Sequence, residues 1–193
     1  MYKRQNQDRG VGKNRNLVLD HATADICILA DDDMQFVEDY PSIMQKALDL
    51  APDADIWVFN LIEKQPKRYV IKEVSSVGYT DYARFGAARI AVRRSSILNA
   101  DIHFSLLFGG GAKYGSGEDT LFLKECLDKK LKIVAVPLAL AEINQDKEST
   151  WFTGYNNKFF YDKGALYYAL YHNAASLYIL RYLIKYRNKY KLS

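Results

Sequence analysis

Two short acidic stretches are the residues of this chain best equipped for chemistry. Asp31, Asp32 and Asp33 end an apolar run, Ile26-Cys27-Ile28-Leu29-Ala30, and Glu118-Asp119 follows the glycine-containing stretch Gly115-Ser116-Gly117. Three adjacent carboxylates repel one another. A divalent cation relieves that repulsion, and hard Mg²⁺ or Mn²⁺ prefers oxygen ligands. A solvated turn, or a cap for a following helix, explains the same run without a metal. The Glu118-Asp119 pair can supply a general base, because a carboxylate positioned beside a hydroxyl can take its proton. Gly117 beside it lets substrate and backbone approach closely. The plain alternative is that acids favour the first helical turn because of the helix dipole.

The elements that must hold these groups can be read from periodicity. Arg9-Gly10-Val11-Gly12 reads as a loop, and Leu17, Val18 and His21 fall at helical spacing. The run from Ile26 and the run Ile56-Trp57-Val58-Phe59 fit buried strands. Pro41 sits where a helix opens, with Ile43, Met44, Ala47 and Leu48 on one face. A more exposed strand is predicted from Arg68 to Val74, another at Arg89–Arg93, and a short helix from Ser95 to Leu98. An amphipathic helix is predicted from Glu118 to about Lys129. A strand from Lys132 to Val136 is stopped by Pro137, and a long Tyr- and Leu-rich helix runs from about Gly164 to Lys189. Alternating strands and helices predict a layered α/β domain with a mostly parallel sheet, and ligands of such sheets bind beyond the carboxyl ends of the strands. The acidic run lies at such an end.

The 193 residues suit one domain of ordinary size, and 49% hydrophobic residues exclude a disordered chain. The net charge of +4 says little about nucleic acid. Its distribution says more, because no acid follows Asp162 while Lys163, Arg181, Lys185, Arg187, Lys189 and Lys191 do. The two cysteines, Cys27 and Cys126, have no metal-type spacing and read as free thiols in a reducing compartment. The polar N-terminus is no signal peptide and no run reaches the ~20 apolar residues that span a bilayer, so the expectation is a cytoplasmic protein. His21 and His103 read as structural, and Lys67, Arg68, Arg93 and Arg94 as solvated, with Arg93 and Arg94 open to an anionic acceptor.

The order Arg9-Gly10-Val11-Gly12-Lys13-Asn14-Arg15-Asn16, then an apolar strand ending in Asp31-Asp32-Asp33, then Gly117-Glu118-Asp119-Thr120, resembles the family 2 glycosyltransferases of the GT-A fold. Bacterial enzymes of capsular and surface polysaccharide synthesis are the nearest in likeness. The resemblance implies an α/β/α nucleotide-diphospho-sugar transferase domain over residues 1–150 and a C-terminal helical extension over 151–193. It implies that Arg15 and Asn16 open the helix beneath the nucleotide site. Asp31 and Asp33 would hold Mg²⁺ or Mn²⁺ against the donor diphosphate, with Asp32 the ligand in a shifted register. Asp119, with Glu118 beside it, matches the base of inverting members. Tyr114 and Trp151 are candidates to stack on sugar faces, although Trp151 lacks the usual Gln/Arg-rich signature around it.

The family begins with a strand, a helix and a second strand that this chain does not show. The expectation is therefore a domain truncated at its N-terminus, with exposed strand edges and with activity of the isolated chain in question. The implied partners are a UDP-sugar donor and a glycan or lipid-linked acceptor, with no nucleic acid. The basic C-terminal helix either packs on the domain or makes a peripheral contact at the inner face of the cell membrane. Two other readings remain open. One is an inactive domain that binds sugar nucleotide, metal or a partner without turnover. The other is a phosphotransferase or nucleotidyltransferase, which the absence of a phosphate-cradling glycine-lysine loop disfavours.

Overall fold

The computed structural model describes residues 10–66, 68–144 and 154–190. Helix α1 (Val11–His21) leads into strand β1 (Ile26–Ile28), a short β2 (Met34–Phe36) and helix α2 (Tyr40–Leu50), with Pro41 in its first turn. Strand β3 (Ile56–Ile62) follows, then a long irregular segment carrying only the two-residue β4 (Ser75–Ser76). A 3-10 turn at Ala87–Arg89 feeds β5 (Ile90–Arg93) and α3 (Arg94–Asn99). Helix α4 (Glu118–Asp128), strand β6 (Ile133–Ile143) and helices α5 (Asn157–Tyr171) and α6 (Ala175–Tyr190) complete the described chain.

The expected layered α/β/α architecture is present. Successive β3 side chains alternate between two cores. Ile56 and Val58 pack with Ile90 and Val92 of β5, Leu19 of α1, Ile97 of α3 and Phe122, Leu123 and Cys126 of α4. Trp57 and Phe59 face the other way, against Met44 and Ala47 of α2 and Val134 and Val136 of β6. All four β3 residues are fully buried, at about 1.5–3 kcal/mol for each large apolar side chain.

The sheet itself is mixed, which corrects the expectation of a mostly parallel one. Its order is β1-β5-β3-β6-β2, with β4 beside β6. Only β3 and β6 pair in parallel; β1 with β5, β3 with β5, β2 with β6 and β4 with β6 are antiparallel. The β1-α2-β3 crossover does make two parallel strands. The later β5 then inserts between them and opposes both, a choice that strand–helix alternation does not encode.

Three local expectations also change. Residues 68–74 form no strand, and the pairing beside β6 begins only at Ser75. Pro137 does not stop β6. The pairing with β3 passes from Val58↔Ala135 to Asn60↔Ala139 through a register shift, and Pro137 lies within it, where its missing N–H costs no ladder bond. Arg93 and Arg94 are not solvated. Arg93 donates to Pro52 O and Ala54 O and lies over the Trp57 ring, while Arg94 donates to Leu19 O and Asp20 O at the end of α1. A cation there complements the helix dipole. The long C-terminal helical segment is present, and it folds back on itself at His172–Ala174 so that α5 and α6 pack as a hairpin.

Candidate functional site

Arg15, on the inward face of α1, joins the two acidic stretches that the sequence separates. Its Nη2 donates to Asp31 Oδ1 at 2.8 Å and its Nη1 to Glu118 Oε1 at 3.0 Å, while its guanidinium lies 5.4 Å from the centre of the Phe104 ring. Neighbouring Asn16 fixes the helix in place. Its Nδ2 donates to Phe104 O and its Oδ1 accepts from Phe104 N, so both ends of its amide are engaged.

Gly117 precedes α4 at φ 112°, a left-handed conformation that favours glycine. A Cβ there would stand 2.6 Å from Leu166 Cδ1 of α5, so the turn that presents Glu118 and Asp119 depends on the absence of a side chain. Asp119 Oδ1 accepts from Thr120 N at 2.7 Å and from Thr120 Oγ1 at 3.3 Å. Its Oδ2 lies against Gly86, where a Cβ would come within 3.2 Å. Burial raises the Asp119 pKa above the ordinary carboxylate value, and the neighbouring Glu118 charge raises it further. The Thr120 hydrogen bonds and Arg15 pull the other way without cancelling the rise. An acid held partly toward its neutral form accepts a proton readily, which is the property a general base requires.

A cavity of about 190 Å³ opens over these groups. Arg15, Asp31, Arg68, the segment Gly86–Arg89, Glu118 and Asp119 line it. Four of the residues singled out in the sequence thus converge. Asn16, Asp32, Asp33, Tyr114 and Gly117 lie outside the cavity lining. Asp32 is exposed, and Asp33 is partly buried with Oδ1 lacking any hydrogen-bond partner. Tyr114 stacks on Phe108 with 4.8 Å between ring centres and faces Tyr161 of α5. Trp151 falls outside the described residues.

Sequence reasoning missed Arg68 and Arg89. Arg68, read as solvated, pairs with Glu63. Arg89, read only as a strand position, is buried, with Nε donating to Phe59 O at 2.6 Å and Nη2 to Asn60 Oδ1 at 3.3 Å. A buried arginine directly before an apolar strand was the available signal, since arginine is almost never fully buried without a partner. Among the described residues no three His, Cys, Asp or Glu side chains form a ready metal cage, and no helix is long and apolar enough to cross a membrane.

No curated protein sequence matches this chain significantly. Among solved structures, it is similar to S. aureus TarS 1-349 in complex with UDP-GlcNAc, with a TM-score of 0.63 at 15% identity, covering 93% of this chain and 53% of that one. The same protein in complex with UDP gives a TM-score of 0.60 at 16% identity, covering 93% and 52%. This chain therefore spans about half the length of those structures. At this identity the likeness establishes the fold. The sequence of residues 1–108, more than half of the chain, matches the family profile described as Glycosyl transferase family 2. With the acidic strand end, the Arg15 bridge and the Glu-Asp helix start in one cavity, this chain belongs to glycosyl transferase family 2.

Proposed function

We propose that the chain carries the catalytic site of a glycosyltransferase that moves a sugar from a UDP-sugar to a hydroxyl of a glycan or lipid-linked acceptor in surface polysaccharide synthesis, with inversion at the anomeric carbon. The observation that carries this reading is the convergence of Asp31, Arg15, Glu118 and Asp119, from three separate stretches of sequence, on one cavity. The structurally similar TarS crystals contain UDP-GlcNAc and UDP, which supports the donor class.

In this reading Asp119 takes the acceptor proton as the hydroxyl attacks. Burial first and the Glu118 charge second raise the Asp119 pKa, and Arg15 holds Glu118 in place. Asp33, with its unpartnered buried Oδ1, and Asp31, which commits only Oδ1 to Arg15, offer hard oxygen ligands that fit Mg²⁺ or Mn²⁺. Such an ion uses one or two carboxylates together with substrate phosphates, so a preformed cage is not required. When bound, it would neutralise charge on the departing diphosphate. Mn²⁺-dependent calorimetric binding of UDP and UDP-sugars tests the site. Binding lost in Asp33→Ala is expected; metal-independent binding, or binding unchanged in the variant, counts against it.

The chain is proposed to work in the cytoplasm at the membrane surface. On α6, Leu177, Leu180 and Ile184 are 67%, 55% and 61% exposed. They fall at i, i+3 and i+7 and form one stripe, and Arg181, Lys185 and Arg187 are exposed around it. Apolar side chains flanked by cations suit an anionic bilayer. Flotation with phosphatidylglycerol vesicles should be lost on Leu180→Ser/Ile184→Ser; flotation retained by that variant would exclude the contact.

A further inference from the structure

We propose that Arg89, with Arg68 beside it, forms a subsite for a phosphoryl group of the substrate in the cavity that Asp119 also lines. The inference rests on the transferase reading only for which substrate brings that group.

The cavity holds three arginines and three carboxylates, and they do not pair evenly. Arg15 is bound to both Asp31 and Glu118. Arg68 is bound to Glu63. Arg89 is 1% exposed, and its hydrogen-bond partners are two uncharged oxygens, Phe59 O and Asn60 Oδ1. Its Nη1 is buried with no partner. The Phe85 ring, 5.1 Å from its guanidinium carbon, gives only a weak cation–π contact. A buried charge is costly unless it is paired and fully hydrogen-bonded. Among the described residues Arg89 has no ion pair, feels Glu63 only at longer range and keeps one donor unpartnered, and it lines an open cavity together with a second arginine.

The surroundings agree. Burial pulls the Arg89 pKa down to about 10 and the like charge of Arg68 adds to the fall, while Glu63 offsets it only in part. An anion between the two relieves both effects. Gly86, Ala87 and Ala88 also line the cavity, and their small size leaves room for a tetrahedral group. Arginine supplies a fork of N–H donors suited to phosphate oxygens. Phe59 O and Asn60 hold the Arg89 fork in orientation and leave Nη1 as its unpartnered donor. A phosphoryl group here shares the cavity with the Arg15–Asp31 pair and Asp119. Two sources share this chemistry, namely the donor diphosphate and a phosphate carried by the acceptor.

The test is a titration of the full chain with inorganic phosphate in metal-free buffer, followed by the amide NMR signals of Gly86 to Arg89. Saturable shifts are expected there, with affinity falling roughly tenfold in Arg68→Gln and in Arg89→Lys, the loss of one charge-assisted hydrogen bond. Arg68 is exposed, so its variant retains the fold even if Arg89→Lys does not. Shifts that never saturate, or affinity unchanged in both variants, overturn the subsite. Adding UDP with Mn²⁺ then separates the sources. Displacement of phosphate by UDP identifies the donor diphosphate, whereas binding of both together identifies an acceptor phosphate. Failure of phosphate to bind while UDP-sugar still binds would leave the transferase reading standing and remove only this one.

Discussion

The sheet and the C-terminal hairpin hold their side chains by different means. In the sheet, Ile56, Trp57, Val58 and Phe59 are fully buried between helices on both faces. Among the described residues of the hairpin only Leu166, Leu170 and Ala175 are buried, and tyrosines of α5 and α6 meet. Tyr171 stacks on Tyr178 with 3.8 Å between ring centres, and Tyr167 lies 5.5 Å from Tyr182. The Gly117–Asp119 turn sits between these regions. One side of α4 is anchored in the sheet core by Phe122, Leu123 and Cys126. Its N-terminal turn leans on α5, through Leu166 beneath Gly117 and through Gly115 N donating to Asp162 Oδ2 at 2.9 Å. The stable core thus sets where α4 lies, and the looser hairpin sets how its first turn presents Asp119.

The largest expected effect falls on activity. Asp119→Asn should lower kcat about 10²–10⁴-fold with the melting temperature near that of the parent chain, as turnover and thermal unfolding measured side by side would show. The same residue fixes a pH dependence. Because its pKa is raised above 3.8, the acidic limb of kcat/KM should lie above the ordinary aspartate range, and Glu118→Gln should move it down by removing a like charge. A limb that stays in place would separate Glu118 from the base. The sign for stability is opposite. The protonated form of Asp119 favours the fold, a contribution present below the unfolded pKa and lost as pH rises through the folded one.

Breaking the sheet core should cost the most stability. Phe59→Ala is expected to lose about 3–5 kcal/mol in chemical denaturation, and a loss below 1 kcal/mol would contradict the core role assigned to β3. Gly117→Ala probes the junction. Left-handed backbone strain and the contact with Leu166 should together cost roughly 1–3 kcal/mol, with activity falling more than stability. Combining it with Leu166→Ala should restore part of the loss, and strict additivity would mean that the two do not touch. The smallest effect is a gain. His172 turns the hairpin at φ 46°, ψ −115°, so His172→Gly should raise stability by about 1 kcal/mol. A lower melting temperature would show that the turn depends on the imidazole.

Much of the fold was legible because nearest neighbours encode it. The apolar run at Ile56 gives β3, Pro41 gives the first turn of α2, and Glu118-Asp119 after Gly117 opens α4. The turn residues and the 3.6-residue period act over a few positions, so a single sequence carries them. The same holds for the acidic residues Asp31, Glu118 and Asp119, whose types and settings marked them before any partner was known.

What the sequence by itself determined, then, was most of the strands and helices and where the acidic turns fall between them. The tertiary structure decided who meets whom. It inserted β5 antiparallel between β1 and β3, carried β6 through Pro137 on a register shift, and folded the C-terminal helix at His172. It brought Arg15 to Asp31 and Glu118, across 16 and 103 positions, and it buried Arg89 in the lining of the same cavity. Strand order and the pairing of buried charges depend on contacts between residues far apart in the chain. Those contacts are chosen by the packing of the whole core, and no local pattern records them.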